Sequence, residues 1–157
     1  MDWIWLLLAV HVFAGILFLG NIIVTFVWKL FADRTGDIGL MRFGAKLVID
    51  TDHIFTAPMA GLLVGSGLTL AHIKGYPLLG TPWLLAALVL FVLSGLVWVI
   101  WLVPNQKRQK ALLEPAADLS AVAVQHRALR QQWNVYGVLS TLFALGAFLM
   151  MFLKDVI

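Results

Sequence analysis

The chain has 157 residues, of which 62% are hydrophobic and 12% charged, with no cysteine and a formal net charge of +3. A soluble domain carries about 25% charged residues, so lipid must solvate much of this apolar surface. The lack of cysteine excludes structural disulfides, thiolate iron–sulfur ligation, thiol nucleophiles and covalent c-type haem attachment. The basic residues fall in two short segments between apolar stretches, a pattern of membrane topology rather than of nucleic-acid binding.

A spanning helix needs about 20 mainly apolar residues to cross about 30 Å of hydrocarbon. Four stretches meet that requirement, at about 4–28, 55–73, 83–103 and 135–153. Backbone polar groups in hydrocarbon need internal partners, so each stretch is expected to be a helix. The opening Met1-Asp2-Trp3 lacks the basic region of a cleavable signal peptide, and the first stretch is expected to remain as a span. The expected fold class is all-α: a single transmembrane domain over 1–157, built as an integral-membrane four-helix bundle.

In the first span, His11, Ala14, Gly15, Phe18, Asn21 and Thr25 fall within about a 120° arc at about 100° per residue. Polar groups at that depth are costly against lipid, so this face should point into the bundle. His11 lies roughly 12 Å along the helix from Trp3, in the outer leaflet. It is a candidate haem or metal ligand or proton-handling group, or else a neutral histidine hydrogen-bonded between helices. Asn21 reads as interhelical glue.

The first connection contains Lys29, Arg34, Arg42 and Lys46 and ends in Asp50-Thr51-Asp52-His53. Asp52 or Thr51 suits a helix cap; a cation site from Asp50, Asp52 and His53 is the alternative. In the second span, Gly61 and Gly65 have the GxxxG spacing that lets another backbone approach or makes room for a flat ligand. His72 falls on the same face. The turn-rich segment 74–82 then predicts that the second and third spans are antiparallel neighbours. The third span offers only Ser94 and Gly95 as small or polar interior features, and no carboxylate is expected inside the membrane.

After Glu114-Pro115, the residues Leu119, Val122, His126, Leu129 and Trp133 recur at helical spacing. They predict an amphipathic cytoplasmic helix leading into the fourth span, with Asp118 or Ser120 as N-cap. Near the end of that span, Met150 and Met151 are soft candidate ligands for a haem iron or for copper. Nine lysines and arginines fall in connections one and three, against Lys74 and Lys154 elsewhere. The positive-inside rule therefore predicts an N-out/C-out topology.

The run His11-Val12-Phe13-Ala14-Gly15 through Leu19-Gly20-Asn21, then Trp28-Lys29 and Ala32-Asp33-Arg34-Thr35-Gly36-Asp37, resembles a family of bacterial predicted integral membrane proteins, domain of unknown function 2269. Phe55-Thr56-Ala57-Pro58 and Val103-Pro104-Asn105-Gln106 are similar too. The resemblance implies four spans in a bacterial cytoplasmic (inner) membrane. More distantly, a histidine early in helix one followed by Ala-Gly resembles HemJ-type protoporphyrinogen oxidases and CopD-type copper-resistance proteins. That likeness implies haem b or copper at His11. Two functional classes follow, with copper handling as a third. One is a haem b redox protein, with His11 and either His72 or Met150 as axial ligands and with Gly61 and Gly65 giving the porphyrin space. The other is a non-catalytic accessory subunit that meets a membrane-protein partner, or a copy of itself, in the bilayer.

Overall fold

A computed structural model of the protein describes residues 3–154. Helix α1 (Trp3–Thr35) turns through Gly36 and Asp37 into α2 (Ile38–Thr51). A π-helical turn, Asp52–Thr56, joins α2 to α3 (Ala57–Ile73) without a break. After the loop 74–81 come α4 (Pro82–Val97), a second π-helical turn (Trp98–Leu102) and α5 (Val103–Leu113). Residues 114–122 form the last connection, and α6 (Ala123–Phe152) completes the described chain. Among the described residues there are thus four rods of 30–36 residues, each apolar enough to cross a membrane.

At 1.5 Å per residue, rods of this length overshoot about 30 Å of hydrocarbon by roughly three to four turns. The excess lies at the end holding the Gly36-Asp37 turn and the 114–122 connection, here called the basic end. The other end, with Trp3, the 74–81 loop and Lys154, is the terminal end. The expected long first connection is therefore corrected. Residues 29–35 and 38–54 extend the helices, and only two residues make the turn. Gly36 has a φ of 70°, which lets the chain reverse so tightly. Asp37 then caps α2, accepting from the Leu40 N–H at 2.8 Å.

The best-buried large side chains gather toward this end. Met41, Ala45 and Leu113 form one cluster with Ile38, Leu119 and Val122 against it. Val48, Leu102 and Trp133 form the next, flanked by Phe26, Trp98 and Tyr136. Arg42 ties α2 to the end of α5, donating to the carbonyls of Leu113 (3.2 Å) and Ala116 (3.0 Å), where a cation also suits the helix dipole. The physical reason for this placement is solvent. Beyond the bilayer, water drives apolar burial; within it, lipid tails are as apolar as leucine and give helices no such drive.

The terminal half is accordingly looser. There α1 packs on α3 and α4 packs on α6, while no Cα of α3 comes within 8 Å of α4 or α6. The expectation that the second and third spans are neighbours is corrected: α3 and α4 stand apart, and their rods meet where α2 packs on α5. Beyond the π turns the two rods diverge toward their loop. The α4–α6 pair is held by Ser94 and Ser140, each hydroxyl donating to the other's carbonyl at 2.9 and 3.1 Å.

The amphipathic helix expected from Leu119 starts later, at Ala123, and is continuous with the fourth span. Asp118 caps no helix. Its carboxylate accepts from Ser120 Oγ (2.5 Å) and Ala121 N–H (3.2 Å) in a local turn, and these bonds hold it below the usual carboxylate range.

Candidate functional site

The two π turns share one sequence cause. Pro58 and Pro104 each stand two residues after a π turn, and a helical proline clashes with the carbonyl four residues back while donating no hydrogen bond to it. The chain responds by widening the turn. The N–H of Ala57 donates to Asp52 O and that of Val103 to Trp98 O, both five residues back. Such bulges often mark functional positions. Asp52 is six residues before Pro58 and Trp98 six before Pro104, so the two occupy equivalent places in their turns.

They meet across the bundle. Trp98 Nε1 donates to Asp52 Oδ2 at 3.2 Å, and Gln106 Nε2 donates to the same oxygen at 2.9 Å. Thr56 Oγ1 donates to Asp52 Oδ1 at 2.7 Å. Asn21 Nδ2 in turn reaches Thr56 Oγ1 at 2.9 Å, and Thr25 Oγ1 reaches Asn21 Oδ1 at 3.3 Å. The carboxylate is 7% exposed. Among the described residues, no lysine, arginine or histidine nitrogen lies within the 4.0 Å of an ion pair with it. Trp98 lies about 22 Å along its rod from Trp83. The reading of Asp52 as a helix cap is overturned, because α2 runs on through the π turn into α3.

Beside Asp52 is a cavity of about 90 Å³, to which all four rods contribute. Its wall is aromatic at Phe26, Trp98 and Trp133 and hydroxyl-bearing at Thr25, Thr56, Ser140 and Thr141. On the same measure a water takes about 10–15 Å³, and a cavity of about 150 Å³ takes benzene. Several waters or a small ion fit; a larger organic molecule does not. Phe18 and Phe91, also in the lining, touch with ring centroids 5.4 Å apart.

A second polar group lies closer to the basic end. Lys29, about 39 Å along α1 from Trp3, donates to both oxygens of Asp33 at 2.6 Å. His126 Nε2 stands 3.7 Å from Asp33 Oδ1. All three residues are buried. The Lys29 ammonium also lies 5.8 Å from the centre of the Trp133 ring.

The structure disperses the residues singled out as haem ligands. His11 Nδ1 is hydrogen-bonded to Ser66 Oγ at 2.9 Å, and its ring lies on Gly67, where an added Cβ would come within 3.0 Å of it. His72 is exposed at the end of α3 and Met150 half-buried on α6. Gly61 and Gly65 are exposed, with nothing within 4 Å of an added Cβ. The close approach between α1 and α3 is made instead by Gly67 and by Gly15 against Leu63. None of His11, His72, Met150, Gly61 and Gly65 lines the cavity, which is also far smaller than the roughly 300–1,000 Å³ of an organic-cofactor pocket. These residues do not fit a haem. Among the described residues, no group of three or more His, Asp or Glu side chains is placed to hold a metal. Asp50 pairs with Lys46, and His53 is exposed with Nδ1 at 2.7 Å from Ile49 O. Neither joins Asp52.

The family model described as predicted integral membrane protein (DUF2269) matches residues 5–155. The chain belongs to this family. No curated protein and no solved structure matches it. Family membership agrees with the four spanning rods, and the buried carboxylate is the chemistry this member carries between them. A sequence signal for that site existed. Asp50 and Asp52 are two positions apart, about 200° around a helix, so they cannot share a face and one must turn inward.

Proposed function

We propose that this protein handles protons across a membrane, with Asp52 as the group that takes up and releases them. The observation that carries the reading is a buried carboxylate, held by three neutral donors and facing a cavity large enough for water; this reading sets it within the hydrocarbon, counted from Trp83. Ionisable groups inside a membrane are rare and default to proton or ion pathways. The basic end, rich in lysine and arginine, is assigned to the cytoplasm by the positive-inside rule. In this reading the membrane is a bacterial inner membrane, and the Phe18–Phe91 contact closes the cavity toward the outer side.

Infrared difference spectroscopy of the protein in lipid nanodiscs, taken as pH is stepped, tests the reading. The C=O stretch of a buried carboxylic acid should grow as pH falls and vanish in Asp52→Asn. Proteoliposomes loaded with a pH dye should pass protons with the wild type and lose that flux with the variant, whose helix content stays intact. An unchanged band in Asp52→Asn overturns the proposal, as does a site that answers to sodium but not to pH.

A second reading, as a subunit of a larger assembly, is favoured by one observation. The α3 face carrying Gly61 and Gly65 is exposed and small, as helix-pairing faces in membranes are. Crosslinking from Gly65→Cys in native membranes would give a defined adduct if another helix packs there and none if lipid covers it.

A further inference from the structure

The rods divide into two halves, residues 3–73 and 82–152, each a pair. Among the described residues, the hydrogen bonds that join the halves fall at two places. At the basic end, Arg42 donates to the carbonyls of Leu113 and Ala116. At the π turns, Trp98 and Gln106 of the second half both donate to Asp52 Oδ2 in the first. His126 and Asp33 approach to 3.7 Å near the basic end, but His126 Nε2 makes no hydrogen bond. Toward the terminal end, neither α1 nor α3 brings a Cα within 8 Å of α4. Phe18 and Phe91 meet there through their rings. The loop 74–81 joins α3 to α4 with enough chain to let them part.

From this arrangement we propose that Asp52 is the clasp between the two halves, and that proton binding to it opens the cleft between α3 and α4. The inference rests on the reading of Asp52 as the proton-handling group. Both cross-bundle bonds end on Oδ2, while Thr56 of the same half serves Oδ1. Bonds to a charged acceptor are about twice as strong as neutral ones. A proton delivered to Oδ1 by cavity water leaves a neutral acid, and Trp98 and Gln106 then donate to an uncharged carbonyl oxygen. The Thr56 hydroxyl can turn and accept the new O–H, whereas an indole or amide N–H only donates. The half that carries Asp52 thus keeps its bond, and the other half loses much of its hold. Helices bend at π turns, and both π turns lie at the clasp. So α3 and α4 swing while Arg42 and the Met41–Leu113 cluster hold the basic end together. Phe18 and Phe91 part in the swing, and the cavity opens toward the terminal end. The groups that line the cavity with Asp52 are all uncharged: α1 presents Thr25, α5 Gln106 and α6 Trp133 and Ser140. Of the charged and titratable groups nearby, Lys29 is bound to Asp33, Lys46 is paired with Asp50, and His53 is exposed.

Distances between spin labels in the protein in nanodiscs test the clasp, and the absence of cysteine leaves the sites free to choose. Gly65→Cys on α3 with Val89→Cys on α4 reports the cleft. Val89→Cys with Leu142→Cys, both in the second half, is the control. As pH is lowered, the cleft pair should lengthen while the control pair stays constant. The ratio of open to closed should rise by roughly tenfold or more, the scale of two weakened charge-assisted bonds. Trp98→Phe with Gln106→Leu removes both donors and keeps Asp52. That variant should be open at every pH while its Asp52 infrared band still titrates. Gln106→Leu alone should raise the open fraction at high pH, and it keeps the test in hand if the double variant fails to fold. His126→Gln should respond to pH as the wild type does. A cleft distance that ignores pH while Asp52 titrates overturns the clasp and leaves Asp52 standing. So does a response that is lost in His126→Gln or unchanged without the two donors. If Asp52 shows no titration in the wild type, both ideas fall, so the two failures are distinguishable.

Discussion

Lys29 and Asp33 are one helical turn apart on the same face of α1, with side chains 3% and 2% exposed. A buried pair of this kind adds little net stability over an apolar pair, but removing one partner strands the other charge. Lys29→Met should therefore destabilise the protein by about 3–5 kcal/mol, seen as a lower melting temperature in mild detergent. Lys29→Met combined with Asp33→Leu should recover most of that loss. Single and double variants melting alike would show that the pair is solvated after all. Trp133 adds to the setting, since its ring stacks on Phe26 at 5.6 Å and also receives the ammonium. The cluster was hidden from the sequence because His126 comes from a position distant from the Lys29–Asp33 pair, and none of the three is unusual alone. His126 read as an apolar-face histidine, and Lys29 as a topology signal.

Glycine decides the contact between α1 and α2. A Cβ on Gly44 would come within 3.0 Å of Ala32 Cβ and 3.7 Å of Lys29 Cδ. Gly44→Val should thus force the helices apart, costing about 1–3 kcal/mol by overpacking and loosening the Lys29–Asp33 pair behind it. Gly61→Val, on the exposed face of α3, should leave the isolated protein's melting temperature unchanged. Equal effects at the two sites would contradict this assignment of faces. The contrast also shows what sequence pattern can and cannot carry. The inward face of α1 was legible, since His11, Ala14, Phe18 and Thr25 recur at helical spacing and Ala14 is 0% exposed. The GxxxG pair carried less, because spacing says that a backbone can come close without saying whose does, and no helix of this chain approaches Gly61 or Gly65. Helix ends were misread for a related reason. Hydropathy marks where lipid stops, and these rods continue as water-packed helices beyond it.

As a whole, the molecule is a four-rod collar at the basic end with two helix pairs extending from it. The lack of cysteine allows each end to be mapped by single replacements. Gly36→Cys and Ala117→Cys should react with a membrane-impermeant thiol reagent from one side of sealed vesicles, and Gly75→Cys only from the other. Labelling of all three from one side would break the four-span topology. The collar carries the tightest packing and the Lys29–Asp33–His126 cluster; the two helix pairs carry the looser contacts, with the π turns and the cavity at the junction.

Those turns have a further consequence in the arithmetic of chain length. Each π turn holds one residue more than an α-helix needs over the same rise, so it behaves as a single-residue insertion absorbed in place. The segments before and after it keep their facing. Losing one residue within Asp52–Thr56, or within Trp98–Leu102, would return the rod to an α-helix kinked at Pro58 or Pro104, with its flanks still in phase. The bundle would survive such a change while the meeting of Asp52 and Trp98 would not. Fold and site are therefore separable by one codon, and a relative one residue shorter at either turn would share the architecture without the carboxylate's setting.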